Sequence, residues 1–451
     1  MIRFWWKSCP GPRRRDTISI DGDRSAPYFA YYMESPLAAP RDFLATGWHI
    51  GIKASGLDFA VLHSRRPCTA AAVFTQNAFP GHPVTVGREH ARDGQLQTII
   101  VNSGNSNVAT GPDGLALARK SCEVAAKNLG VDANLVLPCS TGVIGRMMPA
   151  ERLLSACDDI AAHLSTGDFQ TFARAICTTD AYPKLVSREL RSGVRLVGVA
   201  KGAGMIEPNM ATMLAFFATD ADIPAEDLNR LFRAVIDRTL NRISVDGDTS
   251  TSDTAVMLAN GAADKTIRFS QTASDAFRAL ALPLDPTAVA NLPDVDATSA
   301  EFVRALYEIA LELGKLIVAD GEGARRFFEV HVTEARDRDQ ALRVARSICN
   351  SPLVKTAIHG ADPNWGRLVM AVGKVHDGPT DISRLKIFIG EQALHGKNGT
   401  DPAALKELSS YIQQNREVRM RIALGAGEAE ECLWASDLSS EYVQLNSEYT
   451  T

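Results

Sequence analysis

Short apolar runs that end in Gly, Asn or Ser alternate along this chain with longer stretches in which apolar residues recur every three or four positions. In "LQTIIVNSGNSNVATG" the run Leu96 to Val101 predicts a strand entering a Gly/Asn/Ser loop, and "GLALARKSCEVAAKNLG" predicts a helix stopped at Gly130. "GVRLVGVAKGAG" is a second strand opening into a glycine loop, and "MLAFFATD" is apolar enough for a buried strand. Pro224 opens a helix whose Leu228, Leu231, Phe232, Val235 and Leu240 fall on one face, and Phe302, Leu306, Ile309, Leu313 and Leu316 repeat that spacing. "RFFEVHVTEA" alternates like a half-buried strand. Residues 270 to 300, rich in Pro, Ala and Asp, read as a surface insertion, and residues 1 to 37 show neither period and read as an N-terminal extension. Strands interleaved with amphipathic helices predict an α/β protein and leave the sheet order open.

Composition narrows the class of function. A chain of 451 residues that is 45% apolar can bury one large core or two. The formal charge of −5 and the lack of any Lys/Arg stripe remove the electrostatic signature of nucleic-acid or anionic-membrane binding, so a small polar metabolite is expected. The eight cysteines are scattered, with no CxxC pair and no Cys/His cluster, which predicts reduced thiols, a cytoplasmic setting and no metal site. The N-terminus "MIRFWWKSCPGPRRRD" has no apolar run followed by a cleavage site, so neither a signal peptide nor a membrane span is expected. Asp246, Asp248 and Asp253 in "VDGDTSTSD" lack the spacing of a calcium loop and read as a hydrogen-bonded turn. His359 and Trp365 read as packing residues, and Cys139 and Cys177 as small buried side chains.

The chemistry concentrates in "KGAGMIEPNMATMLAFFATD", Lys201 to Asp220. The lysine precedes the glycines and the spacing of a phosphate-binding P-loop is absent. In "NMATML" a small residue precedes a threonine at the mouth of the apolar run. A threonine hydroxyl is a weak nucleophile without a base, and its own α-amine becomes one if the chain is cut just before it. A free α-amine titrates at about 7.7 to 8.0, so part of it is unprotonated at neutral pH. Such a cut requires the Thr212 hydroxyl to attack the Ala211 carbonyl, with donors ready for the oxyanion. Alone, an Ala-Thr pair is more often an ordinary loop.

The pair is not alone. "VNSGNSNVATG" (101–111), "STGVIG" (140–145), "CTTDAYPK" (177–184), "NRISVDGDTSTSDTAVMLANG" (241–261), "DGEGA" (320–324), "NSPLVKTAIHGADPNWGR" (350–367) and the terminal "YVQLNSEYTT" join the Lys201 loop in one ordered series. Together they resemble the ornithine acetyltransferase family, the arginine-biosynthesis bifunctional glutamate N-acetyltransferases, over roughly Pro40 to Thr451. The resemblance implies an α/β/β/α sandwich shared with related self-processing aminopeptidases. It also implies autocatalytic cleavage between Ala211 and Thr212 into an α chain (38–211, behind the 1–37 extension) and a β chain (212–451), assembling as an α2β2 heterotetramer. Thr212 would then carry acetyl from N-acetylornithine to glutamate without a cofactor, acetyl-CoA being an alternative donor. The oxyanion pair carries over to Thr141 and Gly142, and substrate binding to Thr178, Lys201, Thr212, Glu322, Asn446 and Thr451. Glu207 departs from the apolar residue or histidine of many relatives and, with the ending "LNSEYTT", is similar to the clavulanic-acid-pathway branch. The competing expectations are a secondary-metabolite acetyltransferase, an N-terminal-nucleophile amidohydrolase that passes the acyl group to water, and an uncleaved binding protein.

Overall fold

The computed structural model describes residues 37–207, 213–375, 381, 383–394 and 401–448. Two sheets organise them. The larger has nine strands: β1 (Phe43–Trp48), β2 (Phe59–Phe74), β3 (Gln95–Asn105), β4 (Val136–Val143), β5 (Ser165–Thr166), β6 (Lys184–Glu189), β7 (Arg195–Lys201), β8 (Leu214–Thr219) and β10 (Thr254–Ala259). Its main path runs β4-β3-β2-β10-β8-β7-β6, with β1 and β5 pairing beside β2. The smaller sheet has six strands in the order β13-β12-β14-β11-β15-β9, formed by β9 (Ile243–Ser244), β11 (Phe327–Ala335), β12 (Lys386–Ile389), β13 (Gln392–Ala393), β14 (Glu417–Ala423) and β15 (Ala429–Ser436).

The apolar run "MLAFFATD" becomes β8, which lies between β10, parallel to it, and β7, antiparallel to it, while β2 pairs antiparallel with the far side of β10. Every residue of β8 and β10 is buried, which is why these strands show no polar alternation. One register row places Lys201, Leu214 and Thr254 side by side across β7, β8 and β10. That row brings the end of the "KGAG" strand to the start of the strand that follows Thr212.

Three cores support the sheets. Phe172 and Phe216 meet edge to face on one side of the larger sheet, where the helix Phe169–Ile176 packs. Val61 and Ile100 pack with Cys122, Ala126 and Leu153 of the helices Gly111–Leu129 and Ala150–Asp158 in a second cluster. The third is built on the smaller sheet, against Val344, Ile348, Ile358 and Leu368 from its own helices. The helix Ala297–Ala319 contacts both sheets. A Cβ at Gly198 of β7 would lie 2.7 Å from Ile309 and 2.8 Å from Leu313, and one at Gly314 would lie 3.2 Å from Ile243. Glycine at 198 therefore sets how closely helix and sheet approach. Lys355, buried, adds a polar tie by donating to the carbonyls of Val245 (2.6 Å) and Ser436 (2.5 Å).

The predicted elements are found, with three differences. The strand at Leu96 runs on to Asn105, because β3 keeps pairing with β4 through "NSGN" across an irregular register at Gly104 and Asn105. Leu240 lies beyond the helix Ala225–Arg238, in a short 3₁₀ turn. Residues 270–300 are not a surface insertion throughout: they form helices Gln271–Ala279 and Pro286–Ala290 capped by Ser270 and Asp285. Phe277 is fully buried there and meets Phe269 and Tyr307 edge to face. Caps made of Ser and Asp look like loop composition when read without the apolar residues they serve.

Candidate active site

The ends of β4 and β7, the turn after the helix Phe169–Ile176, the turn after the helix Ala297–Ala319 and the C-terminal helix Ser440–Glu448 converge on a cavity of about 740 Å³. Thr141, Gly142, Thr178, Lys201, Glu322 and Asn446 all line it. These six residues, far apart in the chain, line one cavity. Ala211, Thr212 and Thr451 lie outside the described residues, but Met213, covalently next to Thr212, lines the same cavity.

Lys201 is one cationic pole of the cavity, which Lys53 and Arg146 also line. Its ammonium donates to the Thr178 hydroxyl at 2.9 Å and to the Thr141 hydroxyl at 3.4 Å. Gly142 has φ +126°, and a Cβ there would sit 2.4 Å from the carbonyl carbon of Gly104 on β3. No other residue fits both the left-handed backbone and the contact. Irregular pairing at Gly104 and Asn105 thus meets a glycine at the end of β4.

Asp180, Lys184 and Asp320 hold this pole in place, and sequence reasoning missed them. Lys184 is fully buried and sits 2.8 Å from Asp180 and 2.6 Å from Asp320. The Asp180 carboxylate also accepts the backbone N–H of Thr178 (3.0 Å) and of Gly202 (2.6 Å), while Asp320 accepts that of Ala181 (3.1 Å). One carboxylate therefore fixes the residue after Lys201 and the residue that Lys201 touches. Burial works against the Asp180 charge, yet the ammonium groups of Lys184 and Lys201 hold its carboxyl well below the usual range. Lys184 is likewise raised against its own burial by the two carboxylates. For Asp320 burial wins over Lys184 and pushes the carboxyl up to about 6. Asp180 and Lys184 lie inside "CTTDAYPK" and Asp320 opens "DGEGA", so the signal was on the page. Only the fold shows that the two motifs meet.

Acidic and neutral groups form the rest of the wall. Glu322 accepts a hydrogen bond from the Asn446 amide at 2.8 Å, and a Cβ at Gly204 would come within 2.6 Å of its carboxyl carbon. Asp246 accepts the N–H groups of Met205 (2.6 Å) and Ile206 (2.8 Å), and the Tyr442 hydroxyl donates to it at 3.4 Å. The turn expected of the aspartate series is therefore met at Asp246, which anchors the segment leading to residue 211. Glu207 turns toward the smaller sheet's side and accepts from Asn350 at 2.6 Å, its carboxyl pushed up by burial. Trp365 packs on the smaller sheet's core, as expected, whereas His359 hydrogen-bonds the Asp437 carboxylate at 2.9 Å rather than serving only as packing. Cys139 is buried and Cys177 half-buried; burial pushes the Cys177 thiol up to about 12, far from a reactive thiolate. A wall with cations at Lys201, Lys53 and Arg146 and carboxyl groups at Glu322, Asp246, Asp248 and Asp253 complements a small molecule that carries both charges, such as an amino acid.

Residues 44–451 match the model of the ArgJ family. The chain is 41% identical over 414 residues to the arginine biosynthesis bifunctional protein ArgJ 2 of Nostoc sp., covering 92% of this chain and 98% of that protein. It is 42% identical over 424 residues to the glutamate N-acetyltransferase Oat2 of Streptomyces clavuligerus, covering 93% and 100%. Among solved structures it matches the arginine biosynthesis bifunctional protein argJ of Bacillus halodurans at 33% identity, covering 52% of this chain and 98% of that chain with a TM-score of 0.43. The ornithine acetyltransferase of Mycobacterium tuberculosis, solved with ornithine, matches at 37% identity over 39% of this chain and 95% of that chain, with a TM-score of 0.37. With the family pattern spanning all but the first 43 residues and its relatives matched nearly end to end, this chain is a member of the ArgJ family.

Proposed function

We propose that this protein is a glutamate N-acetyltransferase of arginine biosynthesis that cuts itself between Ala211 and Thr212 and uses Thr212 as an N-terminal nucleophile. The observation that carries this reading is the convergence of Thr141, Gly142, Thr178, Lys201, Glu322 and Asn446 on one cavity that also reaches Met213. In the maturation step the Thr212 oxygen adds to the Ala211 carbonyl and the C–N bond breaks as nitrogen takes a proton. Water then hydrolyses the ester, leaving a carboxylate on Ala211 and a free amine and hydroxyl on Thr212. In turnover the amine accepts the hydroxyl proton as the oxygen attacks the acetyl carbon of N-acetylornithine, and returns it to the departing ornithine nitrogen. Glutamate's amine then attacks the acetyl ester, its surplus proton passes to the threonine oxygen as the C–O bond breaks, and N-acetylglutamate leaves.

Thr141 and Gly142 are suited to the developing oxyanion, where one donor is worth about 10²- to 10³-fold in rate. Lys201 supplies a partner for a substrate carboxylate, and Glu322 with Asn446 a partner for an ammonium. The relatives' names as bifunctional proteins make acetyl-CoA a second donor to test. The working form is read as an α2β2 heterotetramer of residues 1–211 and 212–451 in the cytoplasm; among the described residues no helix is long and apolar enough to cross a membrane.

Intact-mass measurement of the purified protein, paired with Thr212→Ala, tests the reading. Two chains meeting at Ala211 and Thr212 in the parent, one uncut inactive chain in the variant, and transfer of acetyl from N-acetylornithine to glutamate are expected. A cut or active Thr212→Ala chain would overturn the nucleophile. Release of acetate without acetylglutamate would assign the amidohydrolase instead.

A further inference from the structure

Lys53 enters the active-site cavity from the loop between β1 and β2, outside every motif that carries the proposed chemistry. The loop closes on Asp58, whose fully buried carboxylate accepts the N–H of Ile50 at 2.6 Å and of Lys53 itself at 2.9 Å. The Asp58 carbonyl accepts the N–H of Ser103 at 2.9 Å, which ties the loop to β3. The Lys53 stem then lies over Gly104, where a Cβ would come 2.6 Å from its Cγ, and Gly104 is the residue that Gly142 meets. The Lys53 ammonium donates to the Cys177 carbonyl at 3.0 Å. Among the described residues it makes no other hydrogen bond and no ion pair.

A half-buried ammonium fixed at its backbone and stem, yet given no carboxylate, suits an anion that comes from outside. Lys53 binds the carbonyl of Cys177 and Lys201 the hydroxyl of Thr178, so the two ammonium groups flank neighbouring residues, whose Cα atoms are about 3.8 Å apart. Arg146 lines the cavity too, but as an exposed side chain on the loop after β4.

The proposed reaction gives the second ammonium a use. Donor and acceptor react at the same atom, the α-nitrogen, and carry the same α-carboxylate, but their side chains end in opposite charges: an ammonium in N-acetylornithine, a second carboxylate in glutamate. Glu322 with Asn446 suits the ammonium and would repel the carboxylate. One cation at Lys201 serves the α-carboxylate of both substrates, so a further cation is needed by the acceptor alone. Two carboxylates with three carbon atoms between them suit two ammonium groups that flank neighbouring residues.

We propose that Lys53 is an acceptor-specificity residue: its ammonium pairs with the side-chain carboxylate of glutamate while Lys201 holds the α-carboxylate, and the donor makes no use of it. This rests on the acetyl transfer proposed above.

The test uses the full chain with Lys53→Met, which keeps the stem and removes the charge, and Lys53→Gln, which keeps a polar end. In a ping-pong reaction kcat/KM for each substrate reports its own half-reaction, so N-acetylornithine, glutamate and glutamine, the uncharged analogue of the acceptor, are compared on protein shown by intact mass to be cut. Wild type should favour glutamate over glutamine by at least about tenfold. Both variants should lose at least about tenfold in kcat/KM for glutamate, the scale of a hydrogen bond between charged groups, with glutamine and N-acetylornithine within about threefold. An equal loss for glutamate and glutamine would make Lys53 a structural residue, an equal loss for donor and acceptor would place it on the α-carboxylate, and an unchanged preference would place the second carboxylate elsewhere. Each overturns the proposal, as does a wild type that takes glutamine as readily as glutamate. If only one variant is cut, that variant decides; if neither is, Lys53 belongs to maturation and the proposal also falls. If cut wild-type enzyme acetylates glutamate and the variants match it, only this inference falls. If the wild type is never cut, or passes no acetyl to glutamate, the function reading falls as well.

Discussion

At the scale of single residues, the site depends on side chains that never need to touch a substrate. Lys201 is aimed by its contacts to Thr178 and Thr141, and the backbone on both sides of that contact is fixed by Asp180. Lys201→Met should raise KM for donor and acceptor at least tenfold, matching about 1.5–3 kcal/mol for a hydrogen bond to a charged group, in steady-state assays. Lys184→Met leaves Asp320 buried without its cation and Asp180 with only the more distant Lys201 at 3.9 Å, and a denaturant titration should show about 3–5 kcal/mol of lost stability. A Lys184→Met protein as stable as the parent would remove the buried triad from this account. The two cases mark how far sequence reading reaches. Lys201 and Glu322 were legible because their motifs carry them, whereas Lys184 looks like any strand lysine until Asp320, 136 residues further along the chain, is seen 2.6 Å away.

Elements show the same division. The buried strand β8 was legible from its unbroken apolar run, and the helix Ala297–Ala319 from its five-residue apolar face. The helices Gln271–Ala279 and Pro286–Ala290 were not, since each is short and its Ser, Asp and Pro residues resemble linker composition. Nor could spacing show that Gly142 faces Gly104, because register between β3 and β4 is a property of the pair. Gly142→Ala combines a φ of +126° with a 2.4 Å approach to backbone that cannot swing away. The end of β4 would have to shift, and acetyl transfer should fall by about 10²-fold or more while the smaller sheet stays folded, as judged by hydrogen exchange. Unchanged kcat in Gly142→Ala would mean that this strand end does not serve the oxyanion.

At the scale of the molecule, Lys355 couples the smaller sheet to the loop that carries Asp246. Burial pulls its ammonium down to about 8, against the nearby Cys349 and Asp246. The unfolded chain binds this proton more tightly, up to the ordinary 10.5, so stability should rise as pH climbs from about 8 to about 10.5. The gain is at most about 3 kcal/mol, and Lys355→Met should flatten that part of the curve. Urea titrations of both proteins at pH 8 and 10, in the uncut Thr212→Ala background, would measure the difference; equal slopes would place the Lys355 proton elsewhere.

That background matters because of the strand order. Strands β8 and β10, from the segment after residue 212, lie between β2 and β7, from the segment before it. A cut at 211–212 would therefore leave two chains interleaved within one sheet, neither able to leave without tearing hydrogen bonds on both flanks. Folding the intact chain is a unimolecular search, while rebuilding the cut pair is an encounter between two unfolded partners whose rate depends on their concentration. The mature enzyme would then carry a memory of having once been a single chain: heat or denaturant could erase its structure, and dilution alone would not restore it.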